Sequence, residues 1–437
     1  GAGAVKLTAM DASTIVADAG GVGIAVGASG QGTGAALSIG VSIADNLIEN
    51  NTKAYIDGST VTAAGNIELT AVSAAKIDAL TIAGAVGVGA SATKGGYAGA
   101  GAGAASYNDV KNTVEAYIKN AESVTSTAGS LKLTAVDGLY LFDAPELQAA
   151  DYLNDGTLPA AWRTAFAAPG REITLSDDVT VAVRAAGREW LVTDNDKSET
   201  YLIKKDLDTY RVLKPTVITA NGGGVAIGVG ASGEGTGGAL SVGVSVADNY
   251  IHNTIRTTID NSALPIPGDT SVSAAGDITL SATSMAEIDA LTIGGAIAVG
   301  ASGGGSGYAG AGTGAAAYNK IENTIESFIK GVGSITSENG DLMLTATDSA
   351  AIVAYAIGGS IAVGASGTST GGALSIGVSI AHNTISNKAL AYIDNSALAG
   401  ADNTIVLNAE DVSLIATSMD TIDALSIAAS IAVGASA

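Results

Sequence analysis

The amino-acid sequence predicts an all-β protein: a parallel β-solenoid (β-helix) of about six 62–70-residue repeats, with Gly/Ala-rich, tightly packed sheets and one small α+β insertion. Three observations support this prediction. A tetrapeptide recurs along the chain, a pair of asparagines follows it, and large apolar residues alternate with very small ones. The predicted division is 1–137 for the first solenoid repeats, 138–215 for the insertion and 216–437 for the remaining repeats.

The recurring tetrapeptide is VGAS. A fixed period of this length is typical of repeat architectures, in which each repeat contacts mainly its neighbours. The sequence leaves open whether one repeat forms a single wide coil or two narrower ones. The copies begin at Val26, Val88, Val229, Val299, Val363 and Val433, in steps of 62, 141, 70, 64 and 70 residues.

Five copies of VGAS are followed by the motif N-x-(I/V)-x-N. Successive strand residues point to opposite faces, so both asparagines and the branched residue between them share one face. The same parity continues to Ile56 and its equivalents, so we expect this face to point inward. The alternative is that the asparagines are repeated Asx-turn or bulge residues.

Buried amides are costly unless they are paired. In parallel strands stacked about 4.8 Å apart, equivalent amides can hydrogen-bond along the stack, and a slip by one residue would leave every amide unpaired. We therefore predict a structural ladder that fixes the register. Its residues are Asn46, Asn50, Asn108, Asn112, Asn249, Asn253, Asn319, Asn323, Asn383 and Asn387.

Segments such as "SAAKIDALTIAGAVGVGAS" separate Ile, Leu and Val on one parity from Ala, Gly, Ser and Thr on the other. Two faces of small residues can approach more closely than the usual sheet spacing of about 10 Å. The sequence therefore predicts closely packed sheets with glycine as a packing surface.

The repeats also alternate in kind. Those beginning at Val26, Val229 and Val363 continue with a bulky strand such as "ALSIGVSI", whereas those beginning at Val88 and Val299 continue with a tiny strand such as "AGAGAGAA". This alternation predicts a unit of two layers. The chain starts late in one repeat and stops early in another, so we expect it to be a window of a longer array.

The insertion, 138–215, has a different composition, with both tryptophans and four of the six prolines. "DAPELQAADYL" predicts a short helix, because an aspartate cap precedes a proline in the first turn. Residues 171–213 predict three or four strands with turns at "AAGR" and "DNDKS". Four aromatic residues could stack on a sugar or a partner, or form the core of the module, which is favoured. They are Trp162, Trp190, Tyr201 and Tyr210.

The formal net charge of −22 argues against nucleic acid or an anionic membrane as a partner, since both need clustered Lys and Arg. The uncharged stretch between Asp289 and Lys320 is long enough to cross a bilayer. Its glycines and alternating side chains instead predict strands, so no membrane insertion is expected.

No catalytic residue or metal ligand set is predicted. His252 and His382, the two histidines of the chain, occupy different positions of the repeat. The aspartates of the recurring "IDAL" (Asp78, Asp289 and Asp423) would form a carboxylate column. Such a column could recruit Ca²⁺ as a cofactor, although solvent-facing aspartates are the favoured interpretation. We therefore expect a protein that is not an enzyme.

The motif A-Y-I-D-x-S-x-V-T-A-x-G-x-I-x-L-T-A, from Ala54 to Ala71, resembles the glycine-rich β-strand repeats of giant bacterial surface proteins and is similar to filamentous-haemagglutinin-like adhesins. This resemblance implies secretion, an extracellular or bacterial cell-surface location, a right-handed parallel β-solenoid, and a role as the structural repeat segment of a fibre or adhesin. The coils look longer than those usual in that family.

The partners implied are self-association into a fibre or continuation of a longer chain, together with a host-cell, glycan or neighbouring-cell surface. An alternative function is a carbohydrate- or partner-binding module that acts through 138–215. A β-helix polysaccharide-active enzyme is the less favoured alternative, because acidic and basic residues recur evenly and do not gather in one region.

Overall fold

The computed structural model describes residues 3–143, 179–185, 189–194, 199–206, 209–264, 270–395 and 406–437. Within these ranges the chain forms strands and no helix. The first coil contains β1 (Val5–Asp11), β2 (Thr14–Ser29), β3 (Gly34–Ile48), β4 (Asn51–Asp57) and β5 (Val61–Ala63). The second contains β6 (Ile67–Ser73), β7 (Lys76–Ser91), β8 (Gly96–Val110), β9 (Thr113–Lys119) and β10 (Ser123–Ser126).

The third coil begins with β11 (Leu131–Asp137), after which the insertion contributes β12 (Leu139–Asp143), β13 (Val179–Ala185), β14 (Glu189–Asp194), β15 (Glu199–Asp206) and β16 (Thr209–Lys214). It continues with β17 (Thr216–Ser232), β18 (Gly237–Ile251), β19 (Thr254–Asp260) and β20 (Ser271–Ala274). The fourth contains β21 (Ile278–Ser302), β22 (Gly307–Ile321), β23 (Thr324–Lys330) and β24 (Ser334–Ser337). The fifth contains β25 (Leu342–Ser366), β26 (Gly371–Ile385), β27 (Lys388–Asp394) and β28 (Val406–Asn408), and β29 (Val412–Ser418) and β30 (Thr421–Ser436) follow.

Equivalent strands of successive repeats pair in parallel and in register. Val88 pairs with Val26 on one side and with Val229 on the other, and the same column continues through the remaining VGAS copies. Each repeat therefore forms one wide coil, and neighbouring coils are about 4.8 Å apart. This register confirms the predicted parallel β-solenoid.

Four parallel sheets form the walls of the solenoid. Sheet A holds the strands that begin each coil, from β1 and β2 to β29 and β30. Sheet B contains β3, β8, β18, β22 and β26; sheet C contains β4, β9, β19, β23 and β27; and sheet D contains β5, β10, β20, β24 and β28. Sheets C and D and the first part of sheet A enclose a core of Ile, Leu and Val, in which Ile67, Leu69, Ile118, Leu131 and Leu133 are fully buried.

The second part of sheet A packs on sheet B through Gly and Ala. Ala85 and Ala226 of sheet A pack with Ala100 and Ala102 of sheet B in one buried cluster. The glycine of every VGAS copy lies in this contact. A Cβ atom on Gly300 would lie 1.9 Å from the carbonyl oxygen of Tyr308, so the two backbones already touch. The predicted close approach of the small-residue faces is confirmed.

The insertion leaves the solenoid after β11 and returns at β17. Its described strands form an antiparallel sheet in the order β12-β16-β15-β14-β13. The turns predicted at "AAGR" and "DNDKS" fall mainly on residues outside the described ranges. The helix predicted at "DAPELQAADYL" falls mainly on residues outside the described ranges. A buried hydrogen bond joins the two ends of the insertion, since Thr216 Oγ1 donates to Asp137 Oδ1 at 2.6 Å.

We expect the insertion to be dispensable for the solenoid. In the neighbouring coil, Ser284 pairs with Asp137 and Ala286 pairs with Thr216, so Met285 alone fills the gap that residues 138–215 occupy. Replacing 138–215 by one alanine should therefore give a folded protein with an unchanged far-ultraviolet circular dichroism spectrum per solenoid residue.

The matched control deletes 138–215 and adds nothing. The third coil is then one residue short, which would turn the side chains of β17 to the wrong faces. This variant should aggregate or melt at a much lower temperature. Equal melting temperatures for the two deletion variants would contradict the assignment of a single residue, equivalent to Met285, to the position from which the insertion leaves the solenoid.

Candidate functional site: internal polar columns and outer sheet faces

The first asparagine of each motif forms a continuous amide ladder inside sheet B. Each Nδ2 donates to the Oδ1 of the equivalent asparagine in the next coil, and the four distances are 2.8, 2.7, 2.7 and 2.7 Å. The ladder is made by Asn46, Asn108, Asn249, Asn319 and Asn383, and the first four of these are buried. The hydrogen bonds expected from the sequence are thus present in this column.

The second asparagine forms a different column, and the prediction of amide-to-amide bonds is wrong there. Its Oδ1 accepts the backbone N–H of the equivalent asparagine in the preceding coil: Asn112 N donates to Asn253 Oδ1 at 2.6 Å, and Asn253 N donates to Asn323 Oδ1 at 2.8 Å. The chain bends here between sheets B and C. The side-chain oxygen therefore takes the place of a backbone acceptor, and Asn50 and Asn387 belong to the same column.

A column of alternating aspartate and serine faces the second asparagines from sheet A. Asn253 Nδ2 donates to Asp137 Oδ2 at 2.9 Å, and Asn323 Nδ2 donates to Ser284 Oγ at 3.0 Å. Asn387 donates to Asp348 in the same way. The members pair in register in the order Asp11, Ser73, Asp137, Ser284, Asp348 and Ser418.

The serines keep the carboxyl groups two coils apart, about 9.6 Å, which weakens their mutual repulsion. Burial nevertheless raises the pKa of Asp137 to about 6, against hydrogen bonds from Thr216, Asn253 and Ser284 that lower it. Burial, and secondly the neighbouring Asp420, raise the pKa of Asp348 to about 8. The polar column is therefore an internal proton-binding feature of the scaffold.

We expect Asp348 to make the stability depend on pH. Its pKa rises from 3.8 to about 8 on folding, so between these values the folded chain keeps a proton that the unfolded chain has lost. Stability is then highest at acidic pH and falls as the pH rises, by about 1.4 kcal/mol per pH unit for one group. The free energy of unfolding of the wild type should fall between pH 6 and 8, and Asp348→Asn should reduce that slope.

Asp137 titrates near the bottom of this range, so the difference between wild type and Asp348→Asn isolates Asp348. Asp45→Asn, at an exposed position of sheet B, is the control and should keep the wild-type slope. Identical slopes for wild type and Asp348→Asn would contradict the assignment.

Part of the outer face of sheet A is apolar and exposed to solvent. Two adjacent columns carry only Ile and Val from the first coil to the last, and Ile297 and Ile361 in the middle of the stack are 38% and 39% exposed. The columns are Ile24, Val86, Ile227, Ile297, Ile361 and Ile431, and Val26, Val88, Val229, Val299, Val363 and Val433.

The outer face of sheet B is also apolar, but its coils alternate. Three ridge rungs present large side chains: Leu37, Ile39, Val41 and Ile43; Leu240, Val242, Val244 and Val246; and Leu374, Ile376, Val378 and Ile380. Two trough rungs between them present Gly99, Gly101, Gly103 and Ala105, and Gly310, Gly312, Gly314 and Ala316. Nearly all the ridge side chains are exposed, most of them strongly. Apolar patches of this extent on a protein surface mark interaction sites.

The remaining candidate residues do not converge on one site. Asp78, Asp289 and Asp423 lie on alternate coils, separated by Thr219 and Val353. Among the residues that the structure describes, no group of three His, Asp or Glu could hold a metal ion. The uncharged stretch after Asp289 forms the end of β21 and most of β22, and the described part of the chain has no helix that could span a membrane.

Of the aromatic residues proposed for binding in the insertion, Tyr201 is 3% exposed, as a core residue would be. Trp190 and Tyr210 lie on β14 and β16, and Trp162 lies outside the described ranges. Comparison with known protein families, with curated proteins and with solved structures gives no match.

Proposed function

We propose that this chain is a structural repeat segment of a giant secreted bacterial surface fibre or adhesin. The observation that supports the proposal best is the unbroken register of the stack. Backbone pairing in sheet A and the amide ladder in sheet B run through every described coil without a change of partner type. Such a stack supplies a stiff rod, and its polar groups serve the scaffold.

The internal columns give this rod a defined register. A strand that slipped by one residue would remove the amides from their partners and bury them unpaired, at about 1–3 kcal/mol for each orphaned group. The same slip would drive large side chains into the Gly/Ala contact between sheets A and B. Both effects resist sliding of one coil over the next, which is the property that a load-carrying fibre requires.

The test is immunogold electron microscopy of cells that make the protein, with antibodies raised against the purified chain. Intact cells should show labelled filaments at their surface, and treatment of intact cells with protease should remove the label. Permeabilised cells and an antibody to a cytosolic protein serve as controls. Label that appears only after permeabilisation would refute the proposal.

A further inference from the structure

The outer face of sheet B is built as a corrugated surface of two-coil period. Every ridge rung has large apolar side chains in four successive outward columns, and every trough rung has Gly or Ala in the same columns. None of these outward positions carries a charge. Successive ridge rungs are about 9.6 Å apart, and one trough rung lies midway between them.

The troughs are open at their centres. A Cβ atom on Gly101, Gly103 or Gly312 would meet no atom within 4 Å. Near one end, side chains of the same copy partly fill the troughs, because Leu37 leans over Gly99 and Leu240 leans over Gly310. The empty part of each trough therefore lies in two central columns. In the ridge rungs, one of these columns carries Ile39, Val242 and Ile376, and the other carries Val41, Val244 and Val378.

A surface with this period is complementary to itself. A two-fold axis parallel to the strands reverses the direction of the stack but leaves each column opposite the same column. When the axis passes midway between two coils, each ridge rung in the overlapping part of the face lies opposite a trough rung of the other copy. With the axis between the third and fourth coils, Val242 of each copy lies over Gly312 of the other, as an isologous contact requires.

The size and charge of the face favour a second copy as its occupant. In this arrangement the second to fifth coils overlap, and four strands about 4.8 Å apart and about ten residues long cover roughly 630 Å² on each copy, which lies at the lower end of the range for a standard interface. Because the four ridge-and-trough columns carry no charge, their pairing brings no like charges of this acidic chain into direct contact. On the outer face of sheet A, the Ile24 and Val26 columns carry a large side chain on every coil, so these two columns offer no trough to a second copy.

We propose that the outer face of sheet B joins two copies of this chain side by side, with the ridge rungs of each copy seated in the trough rungs of the other. This pairing deepens the proposed fibre role by making the fibre a two-stranded one. It rests on the sheet face alone, so sedimentation of the purified chain tests it separately from the labelling of cells.

The experiment is sedimentation velocity of the wild-type chain over a range of concentrations. The monomer has a mass of 42.4 kDa, and we expect a reversible dimer. The double variant Gly101→Val/Gly312→Val fills the troughs at positions where a side chain meets nothing in the monomer. It adds apolar surface but removes the fit, so the dimer Kd should rise by about 100-fold or more.

The matched control is Gly359→Val, which adds the same side chain on the outer face of sheet A, again where a Cβ atom meets nothing within 4 Å. It should leave the dimer Kd unchanged. Val242→Lys, at an exposed ridge position, should abolish the dimer by a second route. Melting curves show that each variant is folded. A wild type that stays monomeric, or a dimer that survives in the trough-filled and Val242→Lys variants, would overturn the proposal.

Discussion

Gly300→Ala is expected to destabilise the protein by about 3 kcal/mol or more, which is at or above the upper end of the usual cost of overpacking. The added methyl group would lie 1.9 Å from the carbonyl oxygen of Tyr308 and 3.0 Å from that of Gly237. Both obstacles are backbone atoms of sheet B, so no side-chain rotation can relieve the clash. Sheets A and B would have to separate locally, and the buried alanine contacts around them would be lost.

The matched control is Gly312→Ala, on the outer face of sheet B, where the new methyl group meets no atom within 4 Å. Alanine there restricts the unfolded chain more than glycine does, so the change should be neutral or stabilising by about 0.4–1 kcal/mol. Urea unfolding followed by circular dichroism measures both variants. Equal unfolding midpoints would mean that the two sheets are not in backbone contact.

Asn249→Ala is expected to have the second large effect, because it interrupts the amide ladder at its centre. Asn249 accepts from Asn108 at 2.7 Å and donates to Asn319 at 2.7 Å, and all three side chains are buried. Alanine leaves one donor and one acceptor unpaired, at about 1–3 kcal/mol each. The free energy of unfolding should therefore fall by about 2–6 kcal/mol.

Asn66→Ala is the control for this prediction. Asn66 also bonds to the next coil, by accepting from Ser130 N at 3.0 Å, but it is exposed, and water can replace its partners. Its removal should cost less than about 1 kcal/mol. If urea unfolding gave the same loss for both variants, burial of the ladder would contribute nothing to stability.

The sequence was sufficient for the parts of the fold that depend on side-chain parity. The inward direction of Asn46 and Ile56 follows from period 2, and the glycine of VGAS recurs in every copy because a Cβ atom has no space there. The number of coils per repeat did not follow. One wide coil and two narrow ones have the same period along the chain, and only the pairing of Val88 with Val26 and Val229 separates them.

The polar columns show where sequence reasoning ended. The two asparagines of the motif recur together in every repeat, so the sequence treats them alike. Asn46 lies within a continuous strand, but Asn50 follows the bend after Ile48, and its backbone N–H therefore donates to the side-chain oxygen of Asn112. The aspartate and serine column was missed, although its signal is present. The strand ends "LTAMD", "LTAVS", "LTAVD", "LSATS", "LTATD" and "LIATS" alternate between Asp and Ser.

The two-coil period limits how such an array can change its length during evolution. Loss of the fourth coil, for example, would bring the ridge rungs of Leu240 and Leu374 onto adjacent coils and would place two buried carboxyl groups, those of Asp137 and Asp348, about 4.8 Å apart. Loss or duplication of two repeats together would preserve both patterns. Unequal crossing-over should therefore leave viable genes mainly when it adds or removes repeats in even numbers.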